Sequence, residues 1–403
     1  MQHSDYDIAV IGAGIIGLAT GMKLAAQFPN LRTVVLEKEP AVALHQTGHN
    51  SGVIHAGIYY APGSQKANFC ATGSLELRRY CDERKIPYRM CGKLVVAIDD
   101  QEVPRLDELH RRGTANGALG LELVGPERLR EIEPHAAGIK AIVSPNTGIV
   151  DFSLVSQAYA EDLVESGGEL ALDAGVTGTA RDSGGVRLLT KAGDIRAKHV
   201  INCAGLHADR VAGLMGTDAD IRIVPFRGEY FSIRKERSDL VNGLIYPVPD
   251  PAMPFLGVHF TKRISGGVEA GPNAVFALAR EGYSKTSFNL RDTRGALAFP
   301  GFWKMSAANW KTGLSEQYRS LSKPTFLRSL QRLVPEIGMD DLAEPGAGVR
   351  AQAVDRSGKL LQDFSIVQTP GAIHVLSAPS PGATSSLTIS RYIVDMATKS
   401  FGL

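Results

Sequence analysis

The chain of 403 residues is poor in cysteine, with only Cys70, Cys81, Cys91 and Cys203 and no CxxC pair among them. That spacing offers neither a zinc ligand set nor a disulfide framework, so free, mostly buried thiols in a reducing compartment are expected. Long apolar runs are absent too: nothing approaches the ~18 residues needed to span a bilayer. The opening Met1 to Asp7 is polar, and Ile8 to Ile11 is too brief for a secretory signal. Charge of one sign is also missing, since 44 basic residues face 42 acidic ones. No global field therefore draws the chain to nucleic acid. No internal repeat or low-complexity tract is present. What remains is an ordinary globular composition, 44% hydrophobic and 21% charged, that reads as cytosolic. Its length exceeds the ~250–300 residues of a single core, so two or three domains are expected.

Tyr6 to Ile11 is a short apolar run ending at glycines, as in a buried parallel strand. Ile15 to Phe28 has helical spacing and Arg32 to Leu36 is a second strand, which completes a βαβ unit. Gln46 to Ser64 shows little regular pattern. Helices are expected over Ala67 to Cys81, Gln101 to Asn116 and Phe152 to Ser166, and strands over Lys93 to Ile98, Val186 to Thr190 and His199 to Cys203. From Val224 to Val268 short β-rich runs (Tyr230–Ile233, Leu244–Val248, Phe255–Phe260) alternate with proline and glycine, which predicts an antiparallel sheet.

Gly12-Ala13-Gly14-Ile15-Ile16-Gly17 matches GxGxxG, a weak signal alone. Here it follows a strand, opens a helix, and precedes Glu37 at the end of the next strand. Gly12 permits the tight turn, Gly14 lets the backbone approach a pyrophosphate, and Gly17 lets helix and strand pack closely. The helix N-terminus offers N–H groups to phosphates, and Glu37 can accept from a ribose diol. Ala13, Ile16, Lys38, Thr47, Asn50, Ser51 and Val176 join the expected cofactor contacts. A later strand, Val200 to Gly205, ends in Ala204-Gly205 with Asp209 shortly after, as in many flavoproteins; this tips the choice from NAD towards FAD. Taken alone, that segment is also a plain strand-to-helix turn.

The loop His45 to Tyr60 carries three histidines, more chemistry than a connector needs. Together with Gly148-Ile149-Val150-Asp151, Val224 to Tyr230 (VPFRGEY), Tyr246 to Asp250 (YPVPD), Phe255 to Thr261 (FLGVHFT), Gly348 to Arg356 (GVRAQAVDR) and Ala378 to Ser386 (APSPGATSS), it resembles the L-2-hydroxyglutarate dehydrogenases/oxidases. These belong to the D-amino-acid-oxidase-like FAD superfamily, and the resemblance runs from about Tyr6 to about Met396. It implies an α/β, Rossmann-like FAD-binding domain joined to an α+β substrate domain with a mostly antiparallel sheet. We place the first over 1–85, 145–220 and 345–403, and the second over 86–144 and 221–344. It further implies oxidation of (S)-2-hydroxyglutarate to 2-oxoglutarate by hydride transfer to the flavin N5. Electrons would pass to a quinone or other acceptor at the cytoplasmic face of an inner membrane. An FAD oxidase of another small substrate, such as an amino acid or glycerol 3-phosphate, is the alternative.

Such a reaction needs a base for the hydroxyl proton, and histidine, with a pKa of about 6.5, is suited to it. His55 is the first choice by its likeness to glycerol-3-phosphate oxidases, and His259 the second. A dianionic substrate needs cationic or hydroxyl partners, for which arginine has a matching fork. Arg350 and Tyr246 correspond to carboxylate-binding positions in related oxidases. Arg227 is a further candidate, with a structural ion pair to Glu229 as its other reading. Tyr60 is expected to cap the distal carboxylate, with Ser380 and Thr384 touching substrate or flavin. Gly382, Ala383, Thr384 and Ser385 open the last helix towards the flavin pyrimidine end. Finally, Lys285 to Arg332 holds nine basic residues against Asp292 and Glu316, with both tryptophans, Trp303 and Trp310. That mixture suits either a solvated helical face or an anionic bilayer surface.

Overall fold

The structure, a computed structural model, describes residues 4–182, 184–250 and 256–403. Its first strand, Ser4–Ile11, serves two cores by alternation. Ile8 and Val10 pack with the first helix, Ile15–Gln27, while Tyr6, Ala9 and Ile11 face a second cluster with Val34, Leu36 and Val200. Successive side chains of a strand point to opposite faces, so a strand covered on both sides is apolar throughout. The strand pairs in parallel with Thr33–Leu36 on one side and Ile195–Asn202 on the other. Glu169–Ala171 and Ala372–Ser377 extend the parallel array at either end. Val176–Asp182, Gly185–Thr190 and Ser365–Thr369 add antiparallel strands, for eight in all. The helices Phe152–Glu165, Gln65–Glu83 and Ser386–Phe401 share the core under the first helix.

A second sheet has nine strands, nearly all antiparallel; Leu244–Pro247 beside Lys93–Ala97 is the parallel pair. The helix Lys323–Gln331 covers one face through Phe326, Leu327 and Leu330, and Val103–Ala115 packs Leu106 and Leu109 against Val95 and Ile142. The backbone of this sheet is a long ribbon, Ile221–Ile233 against Leu342–Asp355. The expected short run Tyr230–Ile233 is thus the end of a strand that continues through Pro225 and Gly228. Pro225 is tolerated because the second neighbour, Val275–Phe276, begins pairing only at Phe226. The run Phe255–Phe260 is a strand only over His259–Lys262, and Phe255 itself lies outside the described residues. A three-stranded sheet, Val53–Ile54, Gly148–Val150 and Tyr88–Arg89, anchors the histidine loop between the two large sheets. No described helix is long and apolar enough to cross a membrane.

Candidate active site

The glycine turn is dictated by close approach. Gly12 has φ +105°, and a Cβ there would stand 2.6 Å from the carbonyl oxygen of Cys203. One on Gly17 would stand 1.9 Å from the carbonyl oxygen of Gly12. Gly14 differs, because its Cβ would meet only Thr47 Oγ1, at 3.4 Å. Among the described residues nothing forbids a side chain at Gly14, so the space it leaves fits a ligand pressed against the backbone. Gly14, Ile15 and Ile16 line the cleft that begins here, and Ile15 N donates to Thr47 Oγ1 at 3.1 Å. Glu37 is held at the end of the second strand by N–H groups of Ala13 (2.7 Å) and Lys38 (2.9 Å). Beside it the Lys38 ammonium sits among Glu39, Glu281 and His45 and meets Glu281 at 2.8 Å. That cation satisfies the group internally.

From this turn a cleft of about 1260 Å³ runs past Thr47, Asn50, Ser51, Val176, Ala204 and Gly205 to Gly382, Ala383 and Thr384. It ends on Lys66, His55, Tyr246, His259, Arg350 and Ser380. Asp209 lines it as well, but its carboxylate already accepts from both terminal nitrogens of Arg280 and from Ile223 N. Ala13 and Gly17 lie behind the wall, one through its N–H on Glu37 and the other through packing.

At the far end two histidines lie in different settings. His55 Nε2 is 3.1 Å from Ser380 Oγ, and its N–H donates to Thr384 Oγ1, which in turn donates to Val53 O. Burial, and then Lys93, His259 and Lys66 nearby, hold its imidazole well below the usual 6.5. His259 opens its strand, stacks on Tyr246 at 3.8 Å between ring centres, and has Nδ1 2.8 Å from Gly257 O. A carbonyl only accepts, so Nδ1 carries the proton and Nε2 the lone pair. Burial pushes His259 down to about 3, against that bond and with Lys93 and Arg350 assisting. Both imidazoles are therefore neutral at pH 7. Arg350 is brought to the cleft by the long ribbon, opposite Phe226.

The structure places three expected residues elsewhere. Arg227 is buried and engaged, with Nε and Nη2 on Glu229 Oε1 at 3.1 and 2.9 Å and Nη1 on Ser284 O. Tyr60 is outside the residues lining the cleft and turns its hydroxyl to Ser380. Ser385 sits at the N-cap of the last helix, buried, behind Thr384. Two cations went unread in the sequence. Lys66 lines the cleft, and burial brings it down to about 8. Lys93 is fully buried beside Tyr246 and Tyr59, and burial brings it down to about 7. The readable signal for Lys93 was a charge opening the strand Lys93–Ala97, in which every residue is buried.

The two ends thus separate their tasks, one built to hold a nucleotide and the other presenting neutral bases and cations to a small molecule, as in dinucleotide-dependent oxidoreductases. Comparison with known proteins narrows this class. The sequence model of the FAD dependent oxidoreductase family matches residues 7–396. An L-2-hydroxyglutarate dehydrogenase of Indibacter alkaliphilus is 49% identical over 98% of this chain and 100% of its own. One from Escherichia coli K12 is 46% identical over 96% and 92%. The solved L-α-glycerophosphate oxidase of Mycoplasma pneumoniae, with FAD bound, superposes with TM-score 0.80 at 21% identity, covering 98% of this chain and 94% of that one. The chain belongs to the FAD dependent oxidoreductase family and, within it, to the L-2-hydroxyglutarate dehydrogenases. Its cofactor is FAD, and the residues fit it: the open face of Gly14, the anchored Glu37 and a cleft that continues to Gly382, Ala383 and Thr384 suit a dinucleotide.

Proposed function

We propose that the protein oxidises (S)-2-hydroxyglutarate to 2-oxoglutarate at the cation-bearing end of the cleft. The observation that carries this reading is the distribution of charge. The acids lining the cleft are Glu37, Glu39, Asp209 and Glu281, which gather about the βαβ turn or Arg280, whereas Lys66 and Arg350 line the histidine end with Lys93 behind them. A dianion is complementary to that end, and an amine is not. The printed activity of the two relatives supports the same substrate. Bound FAD supplies the acceptor for the hydride leaving C2. Arg350 pairs with a carboxylate through its planar fork. The hydroxyl proton passes to His55 at Nε2, the atom 3.1 Å from Ser380 Oγ, because a neutral imidazole is available there at pH 7. His259, its Nδ1 fixed on Gly257 O, holds the second lone pair at that end and is the alternative acceptor of the same proton. Turnover with (S)-2-hydroxyglutarate and an artificial acceptor should release one 2-oxoglutarate per electron pair; absence of that product refutes the reading.

For the electron acceptor, a quinone reached at an anionic bilayer surface is favoured by the four helices from Leu290–Leu297 to Lys323–Gln331. Trp303, Trp310 and Leu321 are 58%, 57% and 73% exposed there, and the two acids of the segment, Asp292 and Glu316, are buried against Arg210 and Arg319. An apolar face left with net positive charge suits an interfacial position. Binding to anionic but not neutral liposomes at low salt is expected, together with faster reoxidation by a ubiquinone analogue than by oxygen. Equal binding to both liposomes removes this placement.

A further inference from the structure

Lys93 is only 3% exposed, yet no described carboxylate makes an ion pair with it. Its Nζ lies 4.2 Å from the ring centre of Tyr246 and 5.1 Å from that of Tyr59. The Tyr59 hydroxyl beside it is also buried without a hydrogen-bond partner. Tyr246 in turn separates the amine from His259 and forms the wall of the cleft. The other groups facing it are His55, Cys70 and Cys91. Burial pushes the Cys70 thiol up to about 12, and Cys91 also upward, so neither supplies a thiolate at neutral pH. Taking an ammonium out of water is costly unless a partner of opposite charge compensates it. The protein supplies aromatic faces, which are weak compensation, and one of those rings, Tyr59, carries a buried hydroxyl that is itself unpartnered.

We propose that Lys93 is a specificity-determining residue for the substrate's second carboxylate: a buried amine without an anionic partner in the free protein that becomes the compensated ammonium when a dicarboxylate enters the cleft. The inference rests on the proposed dicarboxylate substrate and deepens it. It acts across the Tyr246 wall, so Lys93 is a positioning charge rather than a group that touches the reacting atoms. One consequence is thermodynamic. Burial leaves the amine half-titrated near pH 7, and a dianion stabilises the charged form, so binding above that pH draws a proton from solution. The same dianion binds more weakly as pH rises, because forming the ammonium then opposes binding.

The test is calorimetric titration of FAD-loaded protein with glutarate, a dicarboxylate without the reactive hydroxyl, at pH 8 in two buffers of different ionisation enthalpy. Wild type should take up close to one proton more per glutarate than Lys93→Met, whose remaining uptake is that of Lys66 in the same cleft. Binding in that variant should weaken at least ~30-fold, the lower range for truncating one partner of a buried charge pair. (S)-2-Hydroxypentanoate, which lacks the second carboxylate, should bind both proteins within about threefold. Methionine preserves most of the volume and removes a buried charge, so the variant should melt no lower than wild type; Lys93→Gln provides a second, polar replacement with the same expected loss of proton uptake. Proton uptake that persists undiminished in both variants would assign the proton to Lys66, His55 or His259 and overturn the proposal, as would unchanged glutarate affinity. Flavin reduction of the wild type by (S)-2-hydroxyglutarate, run alongside, separates this failure from failure of the substrate assignment itself.

Discussion

At the glycine-turn end, the acids that line the cleft have protein partners: Glu37 accepts from Ala13 and Lys38, Glu281 meets Lys38 and His207, and Asp209 meets Arg280. At the histidine end, the imidazoles are stripped of charge by burial and Lys93 packs on the rings of Tyr246 and Tyr59 with no carboxylate paired to it among the described residues. The first arrangement is complete before any substrate arrives, as suits a cofactor that stays bound. The second is electrostatically unfinished, as suits a substrate that comes and goes. Pre-paired groups give rigidity, whereas a buried amine without a carboxylate partner, as at Lys93, confers selectivity for the anion that completes it.

Substitutions should therefore fail in different currencies at the two ends. The largest effect is expected for Gly17→Val, whose side chain would collide with the Gly12 carbonyl; little or no FAD should copurify, by absorbance near the flavin band. Normal flavin content in that variant would mean that the turn is not the anchor. Next, His55→Ala should keep its FAD but reduce it at least ~10²-fold more slowly in anaerobic stopped flow, the usual worth of a general base. His259→Ala should lose less in rate and more in KM; the reverse ranking would exchange their roles. Arg350→Lys keeps the charge and loses the fork, so kcat/KM should fall roughly tenfold or more, mainly through KM.

The smallest of these effects is in the pH profile. A base must be neutral to act, and burial lowers both histidines, so kcat/KM should fall on the acid side only well below pH 6.5. Cations must be protonated to attract a dianion, and burial lowers Lys93 to about 7 and Lys66 to about 8, so kcat/KM should decline as pH rises through that range. Lys93→Met should shift the alkaline decline upward and move the acid limb slightly upward as well, because the Lys93 charge no longer helps depress His55 and His259. An acid limb at 6.5 or above would show that the histidines are not desolvated in the working enzyme.

Local pattern made the nucleotide end legible. Gly12, Gly14, Gly17 and Glu37 lie within one βαβ unit, and their tasks follow from steric and hydrogen-bonding needs a few residues apart. The substrate end joins residues from distant segments: His55, Lys93, Tyr246, His259, Arg350 and Ser380. Likeness to a family indicated several of them, and the spacing of Arg227 and Glu229 already offered the ion pair that forms, but no local period could reveal that Lys93 would be sealed behind Tyr246. The long ribbon shows the same limit. Pro225 and Gly228 break the local strand signal, and pairing with Leu342–Asp355 overrides it from more than a hundred residues away. The first strand, by contrast, announced its burial on both faces in its own apolar run.

The central claim, that the far end of the cleft selects a dicarboxylic 2-hydroxy acid, is tested most directly by anaerobic bleaching of the bound flavin. The panel is (S)-2-hydroxyglutarate, its (R) enantiomer, glycine and glycerol 3-phosphate. The account predicts rapid bleaching by (S)-2-hydroxyglutarate alone. Bleaching by glycine or glycerol 3-phosphate, with none by (S)-2-hydroxyglutarate, would contradict it.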